Sequence, residues 1–510
     1  MAGIPSAGLP PFRALIHSRY NRRGKNVREL AEFAISVATG SGASYADARV
    51  IDQVSQEIET KDLSVASINL GKSQGLGIRV LCNGGWGFAS TQNLTKRAIE
   101  KAARTAVAVA KASAACLEKP VTLAPEPVYN AHWVSPHLLD PFTVSLETKV
   151  GVLLEAARIM KAVKGVTLAQ GVMTFVKESK FFASSEGSRI QQTFIRSSCG
   201  IVAHATAEGD RQRRSWPNSA GGQHELAGWE MVVRWDLPGN AQRIAEEAVA
   251  LLTAPPCPQT VTDVILGSSQ LGLQIHESCG HPSELDRALG QEINFAGASF
   301  LTPDKLHSLQ YGSPIVNLVA DATASGALGS FGFDDEGVQA QRVYLVKDGL
   351  FCGYLSSRDT AHLIGLPRSG GAMRAESWAR VPIIRMTNIS LVPGDAGSLE
   401  DIIAGTDDGI LMETNKSWSI DNLRYNFQFS TEIGWEVKNG KRGRMLKNCS
   451  YGGITPVFWN SCDAVGGRQD YIEWGVPNCG KGQPMQTMWT GHGAPPARFR
   501  DVQVGMAHAG

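Results

Sequence analysis

Residues 273–282 read Leu-Gln-Ile-His-Glu-Ser-Cys-Gly-His-Pro, a run in which two histidines flank a glutamate that directly follows the first. This order suits a metal held by two imidazoles while the adjacent carboxylate takes the proton of an attacking water. The spacing is HExxxH rather than HExxH, and the difference is geometric. Four helical residues return to nearly the same face, whereas five overshoot it by about 140°. His276 and His281 can still face one ion if the helix carries a wide π-type turn, or if it stops at Gly280 and His281 follows in a turn; Gly280 and Pro282, which flank His281, favour the helix end. A helix end that carries two histidines and no metal is the alternative reading.

A tetrahedral site that keeps one position open for water needs a third protein ligand. Cys479 lies in Gly475-Val476-Pro477-Asn478-Cys479-Gly480-Lys481-Gly482, with a lysine two positions on. A nearby cation favours the thiolate, the form that binds metal. Cys279, Cys449, Cys462 and His492 compete, and Cys279 follows His276 by three residues, close enough to share a helix side. A structural zinc from Cys449, Cys462, Cys479 and His492 lacks the tight paired spacing such sites use.

Two other motifs dissolve on inspection. Gly475 to Lys481 fits the start of a phosphate loop, but Gly482 stands where a Ser or Thr must meet magnesium, and Pro484 opposes a following helix. Gly71-Lys72-Ser73-Gln74-Gly75 matches G-x-S-x-G, yet an extended run follows where a nucleophile elbow requires a helix, so the segment reads as a turn between strands. No G-x-G-x-x-G supports a dinucleotide fold.

The elements that must position these residues fall into two parts. Residues 26–39 have helical spacing ending at Gly40, and 95–114, 145–163 and 239–252 are further helices. Three extended runs cover 48–60, 63–71 and 75–81, and Asn83-Gly84 then makes a hairpin turn. Residues 166–206 read as an antiparallel meander turning at 185–188. Ala254-Pro255-Pro256-Cys257-Pro258 is a linker, which puts an N-terminal α/β domain at 26–254, after an extension at 1–25, and a β-rich domain at 259–510. In the second part the helical candidate at 269–280 carries the first histidine. The expected class is α+β, two domains rich in antiparallel sheet with flanking helices.

Composition narrows the function further. The 510 residues include 49 Lys+Arg against 48 Asp+Glu, a balance that gives no electrostatic reason for a nucleic-acid or anionic-membrane partner. No apolar stretch reaches the roughly 18 residues of a membrane helix. Nine scattered cysteines without a CxxC pair are not a disulfide framework, and residues 1–23 lack the apolar core of a secretory signal, so a reduced cytoplasmic location is expected. Fifty-four glycines predict many tight turns and close backbone approaches.

Several segments together resemble the TldD/PmbA metallopeptidases, in particular their TldD-like catalytic subunits. They are Gly77-Ile78-Arg79-Val80, then Gly85-Trp86-Gly87-Phe88-Ala89-Ser90-Thr91, the HESCGHPSELD run at 276–286, residues 329–337, Arg385-Met386-Thr387-Asn388, and Cys479-Gly480-Lys481. The resemblance implies that His276, His281 and Cys479 are ligands of a zinc ion (Zn2+) and that Glu277 is the general base. It implies two-domain chains that dimerise around a chamber, as homodimers or with a PmbA/TldE-like subunit lacking the metal motif. Members cleave unfolded or small peptides, some removing leader segments, with the substrate laid down as an added strand. Ser278-Cys279 and Pro282-Ser283 depart from the commoner pattern.

Glu284 and Asp286 are candidates to hold a ligand histidine through its other ring nitrogen, with exposed carboxylates as the alternative. The oxyanion donor is unassigned. A non-catalytic scaffold subunit and a metal-dependent hydrolase of a non-peptide amide are the rival functions. The tryptophans at 418, 435, 459, 474 and 489 read as sheet core or dimer contact. Residues 211–214, Arg-Gln-Arg-Arg, read as a solvated loop, with a grip on a peptide carboxylate as the alternative. Asp334-Asp335-Glu336-Gly337 reads as a turn beside a possible substrate channel.

Overall fold

The computed structural model describes residues 13–505 apart from 296 and 483, with side chains from residue 27 onward; residues 1–12 of the expected extension lie outside the described residues. Helix α1 (Arg13–Gly40) begins earlier than its apolar periodicity suggests and leads into β1 (Tyr45–Lys61). β2 (Ser64–Cys82) returns antiparallel to β1, then turns through Asn83 (φ 51°) and Gly84 (φ 80°) into β3 (Gly85–Thr91). Positive φ at both turn residues is what the Asn-Gly pair supplies.

Residues 71–75, expected as a turn, form the middle of β2 instead, with Gly71 opposite Ser55 and Gly75 opposite Ile51. A Cβ on Gly75 would lie 2.2 Å from the ring of Trp378, so glycine here admits a tryptophan from the C-terminal half.

The first sheet has eight strands. After α2 (Lys96–Ala114) come β4 (Asn130–Val134), α3 (Leu146–Ala162), β5 (Val166–Ser184), β6 (Arg189–Ala207), β7 (Asp210–Trp216) and β8 (Gln223–Glu225). The order is β3-β2-β1-β5-β6-β4, with β7 and β8 also on β6, and only the β4–β6 pairing is parallel. α4 (Glu230–Trp235) and α5 (Leu237–Thr253) complete this part. α2 buries Ile99, Ala102, Ala103, Ala106, Val107 and Ala110, an apolar stripe at helical spacing, and Thr95 caps its N-terminus.

Alternation along β1 then divides the labour. Ala46, Ala48, Val50 and Ile58 pack in the cores formed with the helices. Asp47 and Arg49 point the other way, toward the C-terminal half. Arg79 bonds Asp47 at 2.7 Å and Glu336 at 3.1 Å, and Lys180 bonds Asp335 at 2.7 Å. The 334–337 segment is thus a turn, as expected, but Asp335 and Glu336 are buried ties between the halves, while Asp334 accepts backbone N–H groups of its own half. Residues 211–214 are corrected in the same way. They belong to β7, where Arg213 and Arg214 meet the fully buried Glu432 at 2.9 and 3.3 Å. Strand pairing and an internal carboxylate replace the expected solvated loop.

In the C-terminal half, β9 (Thr260–Leu266) joins a seven-stranded sheet. Five of its strands close a ring: Asp408–Ile420, β9, Ala497–Val504, Ser450–Ile454 and Asn426–Lys438, which pairs back to the first. Closure removes exposed edges and encloses an aromatic core that includes Phe427, Tyr451 and Phe499. Trp459 is fully buried in it, whereas Trp418 is exposed. The expected α+β class with extensive antiparallel sheet is what the structure has.

Candidate metal centre

β9 runs through Gly267 into α6 (Ser268–Ile275), and residues 276–280 continue as one π-type turn closed by a bond from the His281 N–H to the His276 carbonyl. A bond spanning five residues stacks positions five apart, which an ordinary helix does not. The two imidazoles therefore meet, with ring centroids 4.9 Å apart. Ser278, one of the departures from the commoner pattern, supports this turn. Its hydroxyl donates to the Gln274 carbonyl at 2.5 Å and accepts from the Trp459 indole at 2.9 Å, while its carbonyl accepts from the Tyr311 hydroxyl at 2.9 Å. Gly280 makes room for Met386, whose Sδ would lie 2.1 Å from a Cβ there.

Cys479 arrives from the hairpin of Ile472–Lys481 and Gln486–Ala494, at an irregularity where the register shifts between Val476 and Cys479. Pro477 lies in that irregularity, where a missing N–H costs no ladder bond. Cys479 Sγ stands 3.7 Å from His281 Nε2. Donor atoms of His276, His281 and Cys479 all lie within 4.8 Å of one another, the only such group of three among the described residues. All three side chains are buried. Two imidazoles and a thiol in this span fit zinc by ligand chemistry, and they leave room for a fourth ligand.

Both imidazoles are held through Nδ1. His281 Nδ1 is 3.0 Å from Glu284 Oε2. His276 Nδ1 is 2.7 Å from His492 Nε2, and His492 Nδ1 is 3.1 Å from the Ile389 carbonyl. A carbonyl can only accept, so His492 carries its proton on Nδ1 and accepts on Nε2 from His276. Both metal-side Nε2 atoms then keep their lone pairs. Burial pushes the pKa values of His276, His281 and His492 down.

Glu284 is fully buried, and although burial opposes its charge, Lys481 and His281 hold its pKa well below the usual carboxylate range. Asp286 does not share its task. The Asp286 carboxylate accepts from Lys481 Nζ with both oxygens, at 2.7 and 2.8 Å, and from the Arg287 N–H at 2.8 Å, and it is the near counter-ion of that buried ammonium. Cys479 takes its electrostatic help from other groups. The thiol is raised by burial, but His281 and Arg385 outweigh this and lower it, favouring the thiolate.

The remaining cysteines stay apart from the centre. Cys279 is buried in the core and burial pushes its thiol up; Cys462 is pushed up to about 12 by burial; Cys449 is raised by Cys257 and burial. All nine cysteines are free.

Glu277 is buried beside the centre, and Arg424 Nη1 donates to its Oε2 at 2.5 Å. Arg424 sits at φ 66°, in the left-handed region, with its carbonyl accepting from Thr455 Oγ1 at 2.9 Å. Neither Arg424 nor Arg385 carries a spacing signal; strand pairing brings both to the site.

Three successive segments match the family descriptions PmbA/TldA metallopeptidase domain 1 (residues 46–110), central domain (139–254) and C-terminal domain (259–506). The chain belongs to the PmbA/TldD metallopeptidase family. A metalloprotease of Methanocaldococcus jannaschii is 30% identical over 439 residues, covering 86% of this chain and 92% of that relative. A protein of Saccharolobus solfataricus named a zinc metalloprotease TldD homolog is 24% identical over 485 residues, covering 92% of this chain and 98% of its own. Among solved structures, TldE from Thermococcus kodakarensis aligns with a TM-score of 0.71 at 15% identity, over 94% of this chain and 100% of that one. At that identity the match speaks for the shared PmbA/TldD fold. Among the described residues no helix is long and apolar enough to cross a membrane.

Proposed function

We propose that this PmbA/TldD chain is a zinc-dependent peptidase, in which His276, His281 and Cys479 hold the ion and Glu277 is the general base. The observation that carries the proposal is the convergence of two Nδ1-supported imidazoles and a thiol beside a buried carboxylate. Bound there, zinc supplies a Lewis acid that polarises a carbonyl and acidifies water. Glu277 takes the proton of the attacking water and returns it to the leaving amine. Arg424 fixes Glu277 through Oε2, which leaves Oε1 for the proton. His492 and Glu284 hold the ring orientations, and the buried setting limits water to what the reaction uses.

The substrate is an unfolded or small peptide laid down as an extended strand, gripped chiefly through its backbone. The protein acts in the cytoplasm as a homodimer or with a PmbA/TldE-like subunit, and its chain divides at 254–259 into two domains. The test is hydrolysis of an unstructured peptide by the purified protein, alone and with a partner subunit. Glu277→Gln should abolish turnover while zinc stays bound; a Glu277→Gln protein with the wild-type rate would remove Glu277 from its role.

A further inference from the structure

A cavity of about 190 Å³ opens between the halves, lined among others by Glu178, Arg196, Phe331, Arg374, Met488 and Trp489. It adjoins the candidate metal centre through the hairpin that serves both. Met488 is the register partner of Cys479, and the same strand continues through Trp489 to His492.

Arg374 is 8% exposed and makes no ion pair among the described residues. One of its terminal nitrogens donates to the Trp489 carbonyl at 2.9 Å and the other to the Met386 carbonyl, while Nε has no partner. Arg196 is held between rings, its guanidinium 3.8 Å from the Trp489 centroid and 4.5 Å from that of Phe194. Its Nε and Nη1 are buried without a hydrogen bond; Glu178 stands 3.7 Å away, and Asp335 acts on it more weakly. The other acids at the cavity are engaged: Asp335 takes Lys180 at 2.7 Å, and Glu376 takes the Thr487 hydroxyl at 2.7 Å with Arg380 at 3.7 Å. Buried guanidinium groups with unused donors are costly unless an anion meets them. Burial, Arg385 and Arg196 push Arg374 down to about 9, against an opposing pull from Asp335 and Cys479.

We propose that Arg374 and Arg196 form a subsite for a carboxylate of the peptide substrate, seated against Phe331 and Trp489. The proposal rests on the peptidase reading of the adjoining centre. Arginine presents a planar fork to a carboxylate, and pinning by the rings prepays the ordering of Arg196. The shared chemistry is a carboxylate, supplied by the peptide C-terminus or by an Asp or Glu side chain.

Binding without turnover tests it. Zinc-loaded full-length Glu277→Gln protein is titrated into fluorescent unstructured peptides, read by anisotropy: one pair with a free or amidated C-terminus, another with Glu or Gln inside an amidated chain. Loss of the carboxylate should weaken binding about tenfold or more in one of the pairs, which identifies the source. Adding Arg196→Gln, which removes no backbone bond, should erase that difference, as should Arg374→Met if it folds. Equal binding of free and amidated, and of Glu and Gln, peptides would overturn the proposal, as would a preference that survives Arg196→Gln. Failure of the peptidase reading shows separately, as absent hydrolysis by the wild-type protein.

Discussion

His492 Nε2 lies 2.7 Å from Nδ1 of His276, across 216 residues of chain, and its own Nδ1 faces the Ile389 carbonyl. The relay fixes one tautomer in each ring and aims the lone pair of His276 Nε2 into the centre. His492→Ala should therefore keep the fold but weaken zinc affinity about 10- to 100-fold. Competition with a chromophoric chelator measures this, and unchanged affinity would make His492 a packing residue.

Arg424 fixes the carboxylate of Glu277. Arg424→Met should leave zinc content unchanged and lower kcat by about 10- to 100-fold, because a misaligned base loses reach. Steady-state kinetics with parallel metal analysis checks it.

The buried Lys481–Asp286 pair supports the fold beneath the centre. Asp286→Asn leaves the buried ammonium to the more distant Glu284, 3.6 Å away, and should cost about 3–5 kcal/mol, read as a lower thermal midpoint. Lys481→Met in the same chain should restore much of the loss, since it removes the stranded charge.

His204 gives a pH dependence away from the centre. Burial, with Arg211 and Arg213 nearby, pushes it down to about 4, and its Nε2 lies 3.0 Å from Gln170 Oε1. In the unfolded chain its pKa is about 6.5. Between these values the unfolded chain binds more protons than the folded one, so stability falls as pH drops through the window. His204→Gln should flatten the dependence of the thermal midpoint on pH between about 4 and 6.5. An unchanged slope would contradict the assignment.

Much of this architecture is legible in local sequence, because local periodicity and turn chemistry produce it. The helical stripe of α2 and the Asn83-Gly84 turn are of this kind, whereas Gly280 and Pro282 suggest a helix end where the structure instead carries the wide turn through His276–Gly280. What local pattern conceals comes from distant pairing. Gly75 looks like a turn residue until Trp378 occupies the space above the strand. Lys481 looks like the cation that activates Cys479, but Asp286 claims it, and His281 and Arg385 lower the thiol instead. His492 looks like one more ligand candidate, whereas its place is behind His276. In each case the deciding contact comes from an element about 100 to 300 residues away, placed by sheet closure that no local spacing encodes.

The central claim is that His276, His281 and Cys479 hold one metal ion. Its most direct test is metal content together with the absorption spectrum of the cobalt-substituted protein, for the wild type and for His276→Ala, His281→Ala and Cys479→Ser. The account predicts about one ion per chain in the wild type, with a thiolate-to-cobalt charge-transfer band lost in Cys479→Ser and stoichiometric binding lost in both histidine variants. An intact band in Cys479→Ser, or a native protein that hydrolyses peptides without metal, would contradict it.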